Sequence, residues 1–219
     1  MKKKLILFCV GLFGISSLGN AQLNITGQAG LNFATVTTDD SDLSEYFSPK
    51  LGFFIGAQVS QDLNDKLYFT AGANFSSKGF ATEFTTDFPG LFKSEYIGTS
   101  SMNYLEIPVN IGYKIGDRVT VQAGPYVGFL MGVSNYSKVT STDYILGETT
   151  VEEDTNNDKT GIATTDFGLN LGAGFNISES LSIKLNYGLG MADLNDDSAA
   201  TYYIKNNVSS LGIAYTFNK

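Results

Sequence analysis

Histidine is absent from all 219 residues, which excludes a Ser-His-Asp hydrolase, an imidazole general base and a histidine metal site. The chain's one cysteine, Cys9, lies in an apolar N-terminal run, so thiol chemistry has no partner either. What remains is carboxylate and ammonium. The most unusual of these groups is Glu106, set among Tyr104, Leu105, Ile107 and Pro108. A carboxylate directed into an interior is costly unless it is paired and hydrogen-bonded.

The ionisable side chains that share its parity, and so its face of a sheet, are Lys50, Lys66, Lys78, Lys114, Asp166 and Lys184. Counting along strands places Glu106 at the level of Lys50, Lys78 and Tyr126, with Tyr104 beside it. Lys66, Lys114 and Lys184 fall nearer the opposite end. The expected arrangement is a lumen-filling network of ion pairs and hydrogen bonds. The alternative is a catalytic or transport carboxylate at Glu106 or Asp166.

Those side chains need a scaffold that alternates. Eight runs do, and in every one the apolar residues occupy odd positions. Residues 23–33 set Leu23, Ile25, Leu31 and Phe33 against Asn24, Thr26, Gln28 and Asn32. Runs at 51–60, 66–76, 104–114, 119–131, 166–176, 181–189 and 211–217 repeat the pattern. Period-two alternation sends one set to each face of a sheet. Here one face is greasy, and the other is mainly Gly, Asn, Thr, Gln and Lys. A soluble barrel has its grease inside; these residues are too many and too bulky for an eight-stranded interior. The pattern predicts an all-β fold: an eight-stranded antiparallel up-and-down transmembrane β-barrel, closed so that no strand edge meets lipid.

Connections alternate in length. Asp62-Leu63-Asn64-Asp65, Gly116-Asp117-Arg118 and Ser178-Glu179-Ser180 suit tight hairpins. Long connections are expected at about 36–49, 79–102, 134–160 and 192–203. This is the outer-membrane arrangement of short periplasmic turns and long extracellular loops, with both termini periplasmic. Phe33, Phe53, Phe75, Phe129 and Phe167 cluster toward the long loops, and Phe69, Tyr113, Phe175, Tyr215 and Phe217 toward the short turns. They supply two aromatic belts in a chain that lacks Trp.

Met1-Lys2-Lys3-Lys4, an apolar stretch over 5–15 and small residues up to Ala21 read as a secretory signal peptide over 1–21. The barrel domain is then 22–219. A formal net charge of −8 argues against nucleic acid. The acidic groups sit in the expected long loops: Asp39, Asp40, Asp42 and Glu45; Glu148, Glu152, Glu153, Asp154 and Asp158; Asp193, Asp196 and Asp197. None has the spacing of a dedicated calcium loop, so they read as solvated faces. No metal or cofactor is expected. Pro108 and Pro125 remove ladder donors from central strands and predict β-bulges.

The run Tyr104-Leu105-Glu106-Ile107-Pro108-Val109-Asn110-Ile111-Gly112-Tyr113-Lys114 resembles the hallmark strand of the PorT-like outer-membrane β-barrel family. Gly124-Pro125-Tyr126, Asp166-Phe167-Gly168 and Tyr187-Gly188-Leu189 resemble its later landmarks in order and spacing. The resemblance implies an outer-membrane address and, through the family's namesake, a link to a protein-secretion system. One departure is that Asn218 and Lys219 follow Phe217, where such barrels tend to end on an aromatic residue.

Together these features lead to a monomeric, non-enzymatic barrel embedded in outer-membrane lipid. It would act through its outside loops or as an accessory of an envelope or secretion complex. One rival holds a small hydrophobic ligand in the outer half of the barrel, with Tyr104 and Tyr126 lining the cavity. A second is a lipid-modifying enzyme with a carboxylate base.

Overall fold

The computed structural model describes residues 23–196 and 201–218; the expected signal peptide, Asp197 and Lys219 lie outside them. Ten strands form one antiparallel sheet. In chain order they are β1 (Leu23–Thr38), β2 (Phe47–Ser48), β3 (Lys50–Asp62), β4 (Leu67–Phe88) and β5 (Phe92–Ile115). Then come β6 (Val119–Asp143), β7 (Glu148–Asn156), β8 (Thr165–Asn176), β9 (Leu181–Gly190) and β10 (Ile204–Thr216). A single helical turn, α1 (Ser41–Ser44), is capped by Asp40, whose carboxylate accepts from the Asp42 and Leu43 amides.

Eight of the strands form a ring in the order β1-β3-β4-β5-β6-β8-β9-β10, and β10 pairs back onto β1 from Thr26↔Thr216 to Thr38↔Ile204. The odd-numbered apolar residues face outward. Leu31, Ile55, Ile111, Leu171, Leu185 and Ile213 are all exposed, while even-numbered Thr26, Asn32, Gln58, Thr70, Ser76 and Asn110 are buried. Hydrocarbon is the environment that makes this inside-out pattern favourable. No helix among the described residues is long and apolar enough to cross a membrane.

Large inward rings rest on glycines. The Tyr68 ring lies across Gly112, where an added Cβ would come within 2.0 Å of its Cζ. Phe54 packs the same way over Gly30 and Gly212, each at 2.6 Å from an added Cβ.

The short turns are held by side chains: Asn64 Oδ1 accepts from the Lys66 and Leu67 amides, and Ser178 Oγ accepts from the Leu181 amide. At the same end Asn218 fastens the seam. Its Oδ1 accepts from the Ile25 amide at 2.7 Å and its Nδ2 donates to the Leu23 carbonyl at 2.6 Å. The residue that departs from the aromatic ending thus extends the β10–β1 closure.

Two expectations need correcting. Connections 79–102 and 134–160 are largely strand. β4 and β5 pair out to Phe88↔Phe92, β6 follows to Asp143, and β7 adds on from Asn135↔Asn156 to Asp143↔Glu148. They form a blade that continues the barrel wall past the rim; residues 81–88 alone extend roughly 26 Å at about 3.3 Å per residue. Its Ser- and Thr-rich strands meet water on both faces, so they lack the alternation that marks a half-buried strand.

Second, Pro108 and Pro125 do not sit at bulges. The β4–β5 register is unchanged across Pro108, with only a gap in pairing opposite Gly72 and Ala73. The β5–β6 register is likewise unchanged across Pro125, with a gap opposite Val109 and Asn110. A missing donor leaves one rung open without adding a residue. The register shift lies instead at Asn103/Tyr104, where Met131 is the extra residue on β6. Beyond that bulge β6 reverses parity and Val133 turns inward, 4% exposed opposite Met102.

Candidate functional site

The inward face of the barrel is stratified. Toward the long-loop end lies an apolar layer of Val36, Met102, Tyr104, Val133 and Leu194, backed by Phe47, Phe80, Leu130, Ile162 and Ile204. It exists because the Asn103/Tyr104 bulge brings Val133 inside and because Leu194, from the β9–β10 connection, folds back over the mouth. The Leu194 amide donates to the Ile204 carbonyl at 2.8 Å, which holds it there.

Beneath it is a layer of charge. Lys78 on β4 places Nζ 2.7 Å from Glu106 Oε1 on β5 and 2.9 Å from Asp166 Oδ2 on β8. The ammonium also lies 4.4 Å from the Tyr126 ring centroid and 5.3 Å from that of Tyr104. Two carboxylates and two aromatic faces thus surround one cation, a combination that compensates its desolvation.

Asp166 is fully buried, and its two oxygens are treated unequally. Oδ2 accepts from Lys78, from the Tyr126 hydroxyl at 3.2 Å and from Asn206 Nδ2 at 3.0 Å. Oδ1 has no protein partner. Below this layer a polar chamber of about 70 Å³ is lined by Asn32, Asn74, Asn110, Gln122, Asn170 and Asn186 among others. It has room for a few waters.

Of the expected network, Glu106, Lys78, Asp166, Tyr126 and Tyr104 come together. The other lysines do not join it. Lys50 sits opposite Ala34 toward the long-loop end, without an ion pair among the described residues. Lys114 pairs with Asp62 at 2.7 Å near the short turns, where both are open to solvent. Lys184 stands opposite Gly174 and Gly212, again away from the charged layer. Sequence spacing gives the face of each residue, but tilt and stagger set its height in a barrel.

Asn206 was missed. It lies ahead of the last clear alternating run, next to Asn207, and the paired amides hide the period. Met102 was missed because it follows a Ser-rich stretch read as loop.

The outer half of the barrel is filled rather than hollow. Tyr104 and Tyr126 are buried, and neither lines the chamber, which corrects the expectation of a tyrosine-lined ligand cavity. Both carboxylates of the layer are held by Lys78, and no group of three or more potential metal-ligating side chains occurs among the described residues. The arrangement sets one ammonium between two carboxylates, leaving a single negative charge in excess, and packs side chains across the interior at this level.

A closed ring with a lipid-compatible exterior is what an outer-membrane address requires, and the family comparison agrees. The model for the outer membrane protein beta-barrel domain matches residues 18–196. The chain belongs to this family. As a member of the outer membrane protein beta-barrel domain family, it is an integral outer-membrane protein.

Among solved structures it is similar to Ail, the attachment invasion locus protein of Yersinia pestis, in complex with the heparin analogue sucrose octasulfate. Identity is 15% and the TM-score 0.43, over 89% of this chain and 99% of that one. Neisserial surface protein A shares 15% identity at a TM-score of 0.36, over 88% and 97%. CarO of Acinetobacter baumannii shares 11% at 0.36, over 86% and 97%. No curated protein matches the chain.

Proposed function

We propose that this protein is a monomeric, non-conducting and non-enzymatic outer-membrane barrel whose working part is the blade at its long-loop end. In this reading the blade faces the outside of the cell and both termini face the periplasm. It binds there directly or serves as an accessory of an envelope or secretion complex. The Tyr104-Leu105-Glu106-Ile107-Pro108 element further supports a place in the PorT-like branch of the family.

The observation that carries the reading is the double closure of the lumen: an apolar layer stacked on a buried Lys78–Glu106–Asp166 layer. An eight-stranded barrel has an interior that side chains can fill, and this one is filled where a solute would enter. The chain meanwhile commits long paired strands to the blade, well beyond what closing the barrel demands.

Planar-bilayer recording tests it. The reconstituted protein should show no unitary conductance, and the triple variant K78A/E106A/M102A should open measurable channels if it remains folded. Steady ohmic steps from the unmodified protein would refute the plugged barrel.

A further inference from the structure

The blade is a small sheet with two edges, and they are finished differently. Past the rim its strands run in the order β2-β4-β5-β6-β7. The β4 edge is covered at its base, through Thr82, while residues 83–88 beyond it are exposed and, among the described residues, pair only with β5. Phe47 and Ser48 pair with Thr82 and Ala81, the Phe47 and Phe80 rings meet at 4.8 Å, and Tyr46 meets Phe84 at 5.9 Å. The β7 edge is open. β7 pairs with β6 through nine residue pairs, and no other strand pairs with it among the described residues. All nine of its side chains are exposed.

An open edge presents a row of backbone donors and acceptors to any extended chain. Its charge decides which chain. β7 carries Glu148, Glu152, Glu153 and Asp154, and no Lys or Arg. Glu153 is taken by Lys138 on the neighbouring strand at 3.4 Å. Glu148, Glu152 and Asp154 project from the other face and form no ion pair among the described residues. A second copy pairing edge to edge would set carboxylates against carboxylates, which is unfavourable.

We propose that the β7 edge takes up an extended basic segment of a partner protein as an additional strand. Lys or Arg at alternate positions would oppose Glu148, Glu152 and Asp154. A small apolar residue would meet Val151, which is 53% exposed on the opposite face. The assignment rests on the blade being the working part, and it names the edge and the chemistry of the partner.

The probe is a capped, fluorescein-labelled peptide, Lys-Thr-Lys-Val-Thr-Thr-Lys, and the protein is the full barrel in nanodiscs. Fluorescence anisotropy should show saturable binding that weakens as salt rises. The E148Q/E152Q/D154N variant should bind about tenfold more weakly, the scale of three exposed ion pairs. Of two peptides N-methylated on alternate amides, the one blocked on its pairing edge should lose binding altogether. Hydrogen exchange should slow at alternate amides of β7 when the parent peptide binds.

Equal binding by both methylated peptides would overturn the strand-addition proposal, leaving charge alone. No binding of the parent peptide at low salt would overturn it as well, as would a dimer of the unmodified protein in sedimentation whose formation protects the β7 amides from exchange. Conductance of the same nanodisc preparation transferred to planar bilayers reads the plugged-barrel proposal separately. A closed lumen with no peptide binding refutes only the edge assignment, whereas an open pore with no binding refutes both.

Discussion

Lys78 Nζ lies 2.9 Å from Asp166 Oδ2 across the barrel interior, with both side chains shut off from solvent. The two residues are 88 positions apart in sequence, and only ring closure brings β4 and β8 to opposite walls of one lumen. Asp166 Oδ2 also accepts from Tyr126 and Asn206, so the pair ties together β4, β6, β8 and β10.

Breaking this layer from the cationic side should cost most. Lys78→Met strands two carboxylates at once, and loss of one partner from a buried pair costs about 3–5 kcal/mol. Asp166→Asn keeps a hydrogen-bond acceptor for Lys78 and leaves Glu106 to balance it, so it should cost less. Glu106→Gln should cost least, because the Glu106 side chain is 15% exposed. Urea unfolding in lipid vesicles, read by the heat-modifiable gel shift, measures the order. A Glu106→Gln loss larger than that of Lys78→Met would contradict the layer described.

Gly112 is predicted to tolerate no side chain. An added Cβ meets the Tyr68 ring at 2.0 Å, so Gly112→Ala forces the ring off its seat. Overpacking of this kind costs about 1–3 kcal/mol. The double variant Gly112→Ala/Tyr68→Ala should recover part of that loss, which a double-mutant cycle would detect. Simple additivity would show that the ring and the glycine do not depend on one another.

Asn218→Ala should loosen the seam locally rather than globally. It removes two hydrogen bonds to β1, each worth about 1 kcal/mol at most in this exposed setting. Faster hydrogen exchange at the Ile25 amide, with little change at Leu211 or Ile213, is the expected signature. Unchanged exchange at Ile25 would mean that the seam does not rely on Asn218.

Much of this fold is legible in the sequence because lipid imposes a strict rule. Every outward position must be apolar, so parity alone separates Leu171 from Asn170 and Ile213 from Gly212. Parity also puts Glu106, Lys78, Asp166, Tyr104 and Tyr126 in the lumen. Counting along strands sets Lys114 and Lys184 correctly at the short-turn end. It misses fine stagger, which is why Lys50 reads at the level of Glu106 and yet makes no ion pair with that layer among the described residues. The rule lapses once a strand leaves the bilayer. The blade strands, wet on both faces, therefore read as loops, and the parity reversal at Met131 concealed Val133. Proline was over-read: a lost donor at Pro108 or Pro125 interrupts pairing without shifting it.

Whether the greasy face meets hydrocarbon is the point on which all else turns. Nitroxide labels at Leu169, Leu171 and Ile213, in protein reconstituted into liposomes, measure it through collision rates with oxygen and with a water-soluble nickel complex. All three should collide with oxygen freely and be shielded from nickel, while a label at Val151 on the blade should show the reverse. Ready quenching of the Leu171 and Ile213 labels by nickel would contradict the account.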